Sequence, residues 1–263
     1  MLRRSVAPVS FPPSWASSWG EDAYGLWLTL SLNGIRQLFR WIRPGSFFMG
    51  APAEESAGYV LPGKETQHEV ILSKGFWLAE TVVSQELWQA VMKNNPSGFA
   101  GLQQPVERVS WLNAQQFLRR LNALIPGLSA RLPTEAEWEY ACRAGSVTPF
   151  SFGEEITTEQ VNYNAAEEEG GLCRRQTIEV KSLPANAWGL YEMHGNVWEW
   201  CQDSWQDDLG NTSVIDPQAQ GSRNLRVVKG GSWVCTAGYV RSASRDRYYA
   251  EYNGSSIGFR LAV

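Results

Sequence analysis

Histidine is almost missing from this chain: His68 and His194 are the only two in 263 residues. Cysteine is nearly as scarce. Cys142, Cys173, Cys201 and Cys235 form no CxxC pair and no Cys/His spacing that would hold zinc, so they read as separate buried thiols. There is no excess of positive charge either: 23 Lys and Arg against 27 Asp and Glu give a net charge of −4. Without a global basic field, nucleic acid is excluded as the main partner. No run is long and apolar enough to span a membrane, which argues against membrane insertion. The N-terminus, MLRRSVAPVSFPPSWASSWG, carries two arginines but no continuous apolar core, so it does not read as a secretory signal. A cytoplasmic location is the expectation that follows.

What the chain does have is 43% apolar residues and moderate charge, the balance of a globular protein. Its length suits one large domain or two small ones. Thirteen tryptophans are well above average. Indole tolerates partial burial and can donate through its N–H, which suits a loop-rich fold with little regular core.

Residues 1–20 are rich in Pro, Ser and Trp and read as a linker or an arm lying on the body. Leu26–Leu32 and Ile35–Ile42 flank Asn33-Gly34, the pattern of a β-hairpin. Ser46–Gly50 and His68–Leu72 are expected to add strand. Ser84 is placed to cap a helix over Gln85–Lys93, and Ser110 a second one. In that second helix Trp111, Ala114, Phe117, Leu118, Leu121 and Leu124 share a face, and Pro126 ends it. Thr134 and Glu137 make a capping box for a third, preceded by Pro133 and followed by Gly145 at the C-cap position. Glu135, Glu137 and Glu139 then read as partners of the helix dipole rather than catalytic acids. Residues 146–225 look irregular apart from the compact run Ala187–Trp205, and Glu167–Glu169 beside Gly170-Gly171 reads as an exposed turn.

The last stretch is the most informative. Arg226–Lys229 and Phe259–Val263 read as strands bracketing an irregular middle rich in Tyr, Ser, Gly and Asn. Tyr offers large amphipathic contact area at low entropy cost, and Ser, Gly and Asn offer adaptable hydrogen bonding. That composition fits a recognition surface.

Four stretches carry a family resemblance: RLPTEAEWEYACRAG (131–145), NAWGLYEMHGNVWEWCQD (186–203), VVKGGSW (227–233) and IGFRLAV (257–263). They resemble the formylglycine-generating, or sulfatase-modifying factor, domain. FRWIRPGSFFMG (39–50) and QHEVILSKGFWLAETVVSQELW (67–88) fit its N-terminal half. The resemblance implies an α+β C-type lectin fold in its formylglycine-generating-enzyme-like elaboration, low in regular secondary structure. It would occupy residues 21–263, with 1–20 as the arm.

The oxidase branch of that family implies a copper-dependent oxidation of a substrate cysteine by two cysteines five residues apart after the GGS motif. Soft thiolates suit Cu(I). Here Cys235 holds the first position and Val240 the second, while Ser232 and Trp198 match other residues of the family pocket. No catalytic residue is assigned on that ground. A second branch, the variable proteins of diversity-generating retroelements, is similar in its ending: GGSW, then variable positions around a fixed R-S-A-x-R, then IGFR. The chain has Gly230-Gly231-Ser232-Trp233, Arg241-Ser242-Ala243, Arg245 and Ile257-Gly258-Phe259-Arg260 at that spacing.

This second resemblance implies mutation at adenines, chiefly in Asn codons, which can never yield Trp, Met, Gln, Lys or Glu. The positions taken as variable and ligand-binding are Val234, Cys235, Thr236, Gly238, Tyr239, Ser244, Asp246, Tyr248, Tyr249, Tyr252, Asn253, Ser255 and Ser256, with Ala250 and Gly254 among them as variable. All belong to the permitted set, and Glu251 does not. The variable region is placed at about 226–263. Family members can also hold calcium in a loop matching Glu192, Gly195, Val197 and Glu199; a turn without metal is the alternative, so Ca²⁺ would be structural and no cofactor is required.

The reading is a non-enzymatic protein whose 234–256 surface binds a protein or other macromolecular ligand. Its rivals are a copper-dependent oxidoreductase with an altered site and a sensor or scaffold domain with a fixed ligand.

Overall fold

Asn33 and Gly34 both take left-handed backbone angles, with φ of 52° and 84°, which is what a two-residue hairpin turn demands. They join β2 (Gly25–Leu32) to β3 (Ile35–Ile42) in the register the sequence predicts. The computed structural model describes residues 7–8, 10–56, 64–165, 172–221 and 224–263. The expected turn at Glu167–Glu169 with Gly170-Gly171 lies outside the described residues.

β2 and β3 are the centre of a sheet ordered β1-β2-β3-β6, with β1 at Ser18–Asp22 and β6 at Phe76–Ala79. Leu28, Leu30 and Phe39 on its inner face are fully buried. The N-terminal segment does lie on the body: Phe11 stacks on Trp77 and Trp15 meets Phe39 edge-on. β1 begins at Ser18, so that segment enters the sheet rather than stopping short of it at residue 20. A second sheet joins β4 (Gly45–Met49), β5 (His68–Leu72) and β8 (Val214–Ile215), with a short helix α1 (Ala53–Ser56) after β4.

Three further helices cover the first sheet and its neighbour. Ser84 caps α2 (Gln85–Met92) through its hydroxyl, and Lys93 closes it in a left-handed conformation. Ser110 and Asn113 form a reciprocal cap on α3 (Trp111–Leu124). Ala114, Phe117, Leu118 and Leu121 of α3 are buried, with Phe117 stacked on Trp88 and edge-on to Phe259. Leu124 is half exposed, because Ile125, one residue on, packs against the core instead. α4 (Glu135–Arg143) has the expected Thr134/Glu137 box, but its left-handed cap is Ala144, with Gly145 continuing at positive φ.

The C-terminal sheet runs β10-β9-β7-β11, from β7 (Trp198–Ser204), β9 (Leu225–Lys229), β10 (Arg245–Tyr249) and β11 (Ile257–Gly258). Two sequence expectations change here. The middle of the last stretch is not wholly irregular, since β10 pairs with β9 along its full length. Phe259–Val263 is not a regular strand. It threads between β6 and Arg131, exchanging backbone hydrogen bonds with Trp77, Ala79, Val83 and Arg131.

Buried ion pairs fasten this C-terminal segment to earlier parts of the chain. Arg260, with no exposure, grips Glu199 through Nε and Nη2 at 2.8 and 2.7 Å. Its remaining N–H groups donate to the carbonyls of Ala79, Glu80 and Tyr191. Trp138 Nε1 donates to the same Glu199 carboxylate at 2.7 Å. Arg245 grips Glu135 at 2.6 and 2.9 Å, Arg241 grips Glu65 at 3.0 Å, and Lys229 meets Glu139 at 2.9 Å. Glu135 and Glu139 are thus ion-pair partners rather than mere dipole partners, while Glu137 does serve the cap and pairs with Arg131. Among the described residues no helix is long and apolar enough to cross a membrane.

Removing one member of a buried pair strands the other, at a cost of about 3–5 kcal/mol. Arg260→Met should therefore lower the unfolding free energy by about that amount in urea titration. A loss below about 1 kcal/mol would mean that Glu199 does not depend on Arg260.

Candidate binding face

Gly230 and Gly231 turn the chain out of β9 at φ of 93° and 69°. A Cβ on Gly231 would come within 2.5 Å of Val240 and 2.6 Å of the Tyr239 carbonyl, so only glycine permits this close return. Trp233 follows, with its amide on the Asn196 carbonyl, its indole N–H on the Ser255 carbonyl and its ring edge-on to Phe99 at 5.5 Å. This contact joins the first and last parts of the C-terminal segment. Cys235 is held by Asn164, which donates to its carbonyl, and its Sγ lies 3.4 Å from Ser232 Oγ.

A single helical turn at Ala237–Tyr239 leads to Arg241, and β10 carries Asp246, Tyr248 and Tyr249. The chain then turns back so that Tyr252 stacks on Tyr248, with ring centres 4.4 Å apart and planes 12° from parallel. Tyr248 in turn meets the buried Trp200 edge-on. The loop is pinned behind by Arg108, whose amide donates to the Gly254 carbonyl, and by Trp198, whose amide donates to that of Ser256.

Most residues expected to face a ligand do face outward. Val234, Thr236, Tyr239, Tyr249, Tyr252 and Asn253 are exposed; Cys235, Asp246, Tyr248, Ser255 and Ser256 are half-buried. Two are not available. Ser244 is 3% exposed between the Arg241 and Arg245 anchors, and Gly238 is buried with its carbonyl accepting from Arg241 Nε. Ala250 is buried as well, its backbone held by Leu112 and Asn224. Larger side chains at these positions would push against the anchors. Glu251, which falls outside the adenine-mutable set, accepts from Asn224 Nδ2.

Two half-buried groups of the face, the Tyr248 hydroxyl and the Cys235 thiol, hold their protons more tightly than usual. Burial, with the nearby charge of Asp246, pushes the Tyr248 hydroxyl up to about 12. Burial also raises the Cys235 thiol, opposing the thiolate a metal would need. The second sulfur position of a copper site is filled by Val240, which is fully buried with Phe150, Val161 and Tyr163. One protonated thiol and a core valine do not fit Cu(I). A buried Cys142–His194 pair also escaped the sequence reading, at 3.6 Å. Burial pushes its thiol up to about 12 and its imidazole down to about 4, so neither ionises at neutral pH.

In the loop holding Glu192, Gly195, Val197 and Glu199 both carboxylates already have protein partners. Glu199 already faces the Arg260 guanidinium, which supplies the positive charge a cation would bring. Glu192 accepts from the amides of Lys181 and Leu183, and the Gly195 amide donates to Gly230. Calcium held here would have to take its oxygen ligands alongside these partners.

Phe99 and Arg108 are members of this face that the sequence did not reveal. They lie more than a hundred positions before the loops they touch, in a turn-rich connection whose only local signal is its Asn-Asn-Pro-Ser-Gly run.

Residues 37–263 match the family model of the sulfatase-modifying factor enzyme 1-like domain. The chain is 35% identical to the formylglycine-generating enzyme of Bos taurus over 170 residues, 60% of this chain and 44% of that protein. It is 31% identical to the formylglycine-generating enzyme of Thermomonospora curvata over 221 residues, covering 78% of this chain and 69% of that one. The chain thus spans about half the length of the mammalian enzyme it matches. Among solved structures it is similar to Treponema denticola variable protein 1, with 28% identity and a TM-score of 0.77 over 90% of this chain and 98% of that one.

Burial raises the Glu192 carboxyl to about 7 from an ordinary 4.5. The folded protein then holds this proton more tightly than the unfolded chain, so stability falls as pH rises between those values. Wild type should lose stability relative to Glu192→Gln between pH 5 and pH 8 in urea titrations, whereas a pH-independent gap would contradict the assignment.

Proposed function

The chain belongs to the sulfatase-modifying factor enzyme 1-like domain family, and on that premise we propose that it is a non-enzymatic binding protein with a diversified C-terminal face. The observation that carries the reading is the division of labour within residues 230–260. Arg241, Arg245 and Arg260 hold the backbone from inside, while tyrosines and small polar side chains occupy its outer surface. Substitutions confined to outer side chains usually change stability by under about 0.5 kcal/mol, so such a face can vary without unfolding the domain.

The ligand is a protein or other macromolecule. Tyr239, Tyr248, Tyr249 and Tyr252 supply rigid aromatic area, and Asp246, Asn253, Ser255 and Ser256 supply polar contacts. The stacked Tyr248–Tyr252 pair is ordered before a ligand arrives, which lowers the entropy cost of binding. Likeness to a variable protein over nearly its whole length supports this reading. Relatives named as formylglycine-generating enzymes favour an oxidoreductase, but the donor set at Cys235 and Val240 speaks against it.

Retroelement mutagenesis is the proposed source of the diversity. Of the residues between the fixed motifs, the outward ones all belong to the adenine-mutable set apart from Glu251, which accepts from Asn224. Sequencing the gene's locus tests this. The expected result is a neighbouring reverse transcriptase and a near-copy of the segment for 226–263 that differs mainly at adenines. A locus with neither removes the retroelement; metal content and a thiol-oxidation assay then separate a fixed binding domain from an enzyme.

A further inference from the structure

Arg108 has a backbone few side chains adopt, at φ 56°, yet its side chain is half exposed. Non-glycine residues in this region are uncommon, and where the surroundings hold them there the strain often belongs to a site. Two contacts hold it. Its amide donates to the Gly254 carbonyl at 3.0 Å, and its guanidinium lies flat over Gly98, where a Cβ would sit 2.6 Å from Nη2.

Behind the guanidinium is Glu107, fully buried. One oxygen of its carboxylate accepts from the Gly98 and Phe99 amides. The other has no hydrogen-bond partner and stands 3.7 Å from Arg108 Nε, too far for a hydrogen bond. Glu107 therefore orients the guanidinium from below without occupying its donors. Phe99 follows Gly98 directly, with its ring edge-on to Trp233, whose indole N–H donates to the Ser255 carbonyl.

We propose that Arg108 is a constant anchor of the binding face, a subsite that takes an aspartate or glutamate side chain of the protein ligand beside an apolar group on Phe99 and Trp233. This rests on the binding reading above and gives that face a partner chemistry. A planar fork of N–H donors matches a carboxylate in two parallel hydrogen bonds. A phosphate would bring a second negative charge toward Glu107, which disfavours it. Because Arg108 lies outside residues 226–263, it stays the same whatever the variable positions become. Each variant would then read a different surface around one acidic contact.

The test is selection from a phage-displayed library of random peptides on the wild-type chain. Enriched peptides should carry an Asp or Glu next to an apolar residue. Their affinity should drop about tenfold or more on Arg108→Ala and less on Arg108→Lys, which keeps a cation beside Glu107, with each variant checked to be folded by circular dichroism. Enrichment without acidic residues, no enrichment at all, or equal binding to Arg108→Ala overturns the proposal. Tyr252→Ala on the same peptides separates the two readings. Peptides that need Tyr252 but not Arg108 keep the face and remove the anchor, and peptides that need neither remove the face as well.

Discussion

A guanidinium taken out of water must find an acceptor for every N–H it carries, and Arg260 does so. Glu199 takes two of its hydrogen bonds and the carbonyls of Ala79, Glu80 and Tyr191 take the rest. These acceptors come from the end of β6, the loop before β7 and β7 itself, so one side chain ties three parts of the chain to its end. The same carboxylate accepts from Trp138 on α4. Arg245 and Lys229 repeat the device with Glu135 and Glu139 of that helix. A buried pair adds little net stability over an apolar replacement, but it fixes geometry, since each misplaced charge is costly. Here the geometry that is fixed is the backbone beneath the proposed binding face.

That constraint explains how a surface with little regular structure keeps its shape. Between β9 and β11 the chain has one strand and one helical turn. Its path is set by Gly231, which alone fits the return past Val240, by Gly230 against Trp138, and by the arginines. Outer side chains contribute little to this frame. The exception is Tyr248, whose ring leans on Trp200 and carries Tyr252, so the aromatic platform is rooted in the core.

Much of the frame was legible in the sequence because its signals are local. The Asn33-Gly34 hairpin, the three caps at Ser84, Ser110 and Thr134, and the outward position of most of 234–256 follow from neighbouring residues. What escaped depends on distant partners. Glu135 and Glu139 look like helix-dipole residues until Arg245 and Lys229 arrive from a hundred positions later. The buried state of Gly238 and Ser244 has the same cause, because neighbours in sequence cannot report that anchors close over them. The partners of Glu192 and Glu199 escaped for that reason too: Arg260 and the amides of Lys181 and Leu183 are invisible from the loop alone.

The central claim is that the segment is rigid within and free without. A saturation substitution scan of residues 230–258, read by resistance to proteolysis, tests it most directly. Tolerance at Val234, Thr236, Tyr239, Tyr249 and Asn253, with loss at Gly231, Gly238, Arg241, Ser244 and Arg245, is the predicted pattern. Equal sensitivity at both sets, or free replacement of the arginines, would contradict it.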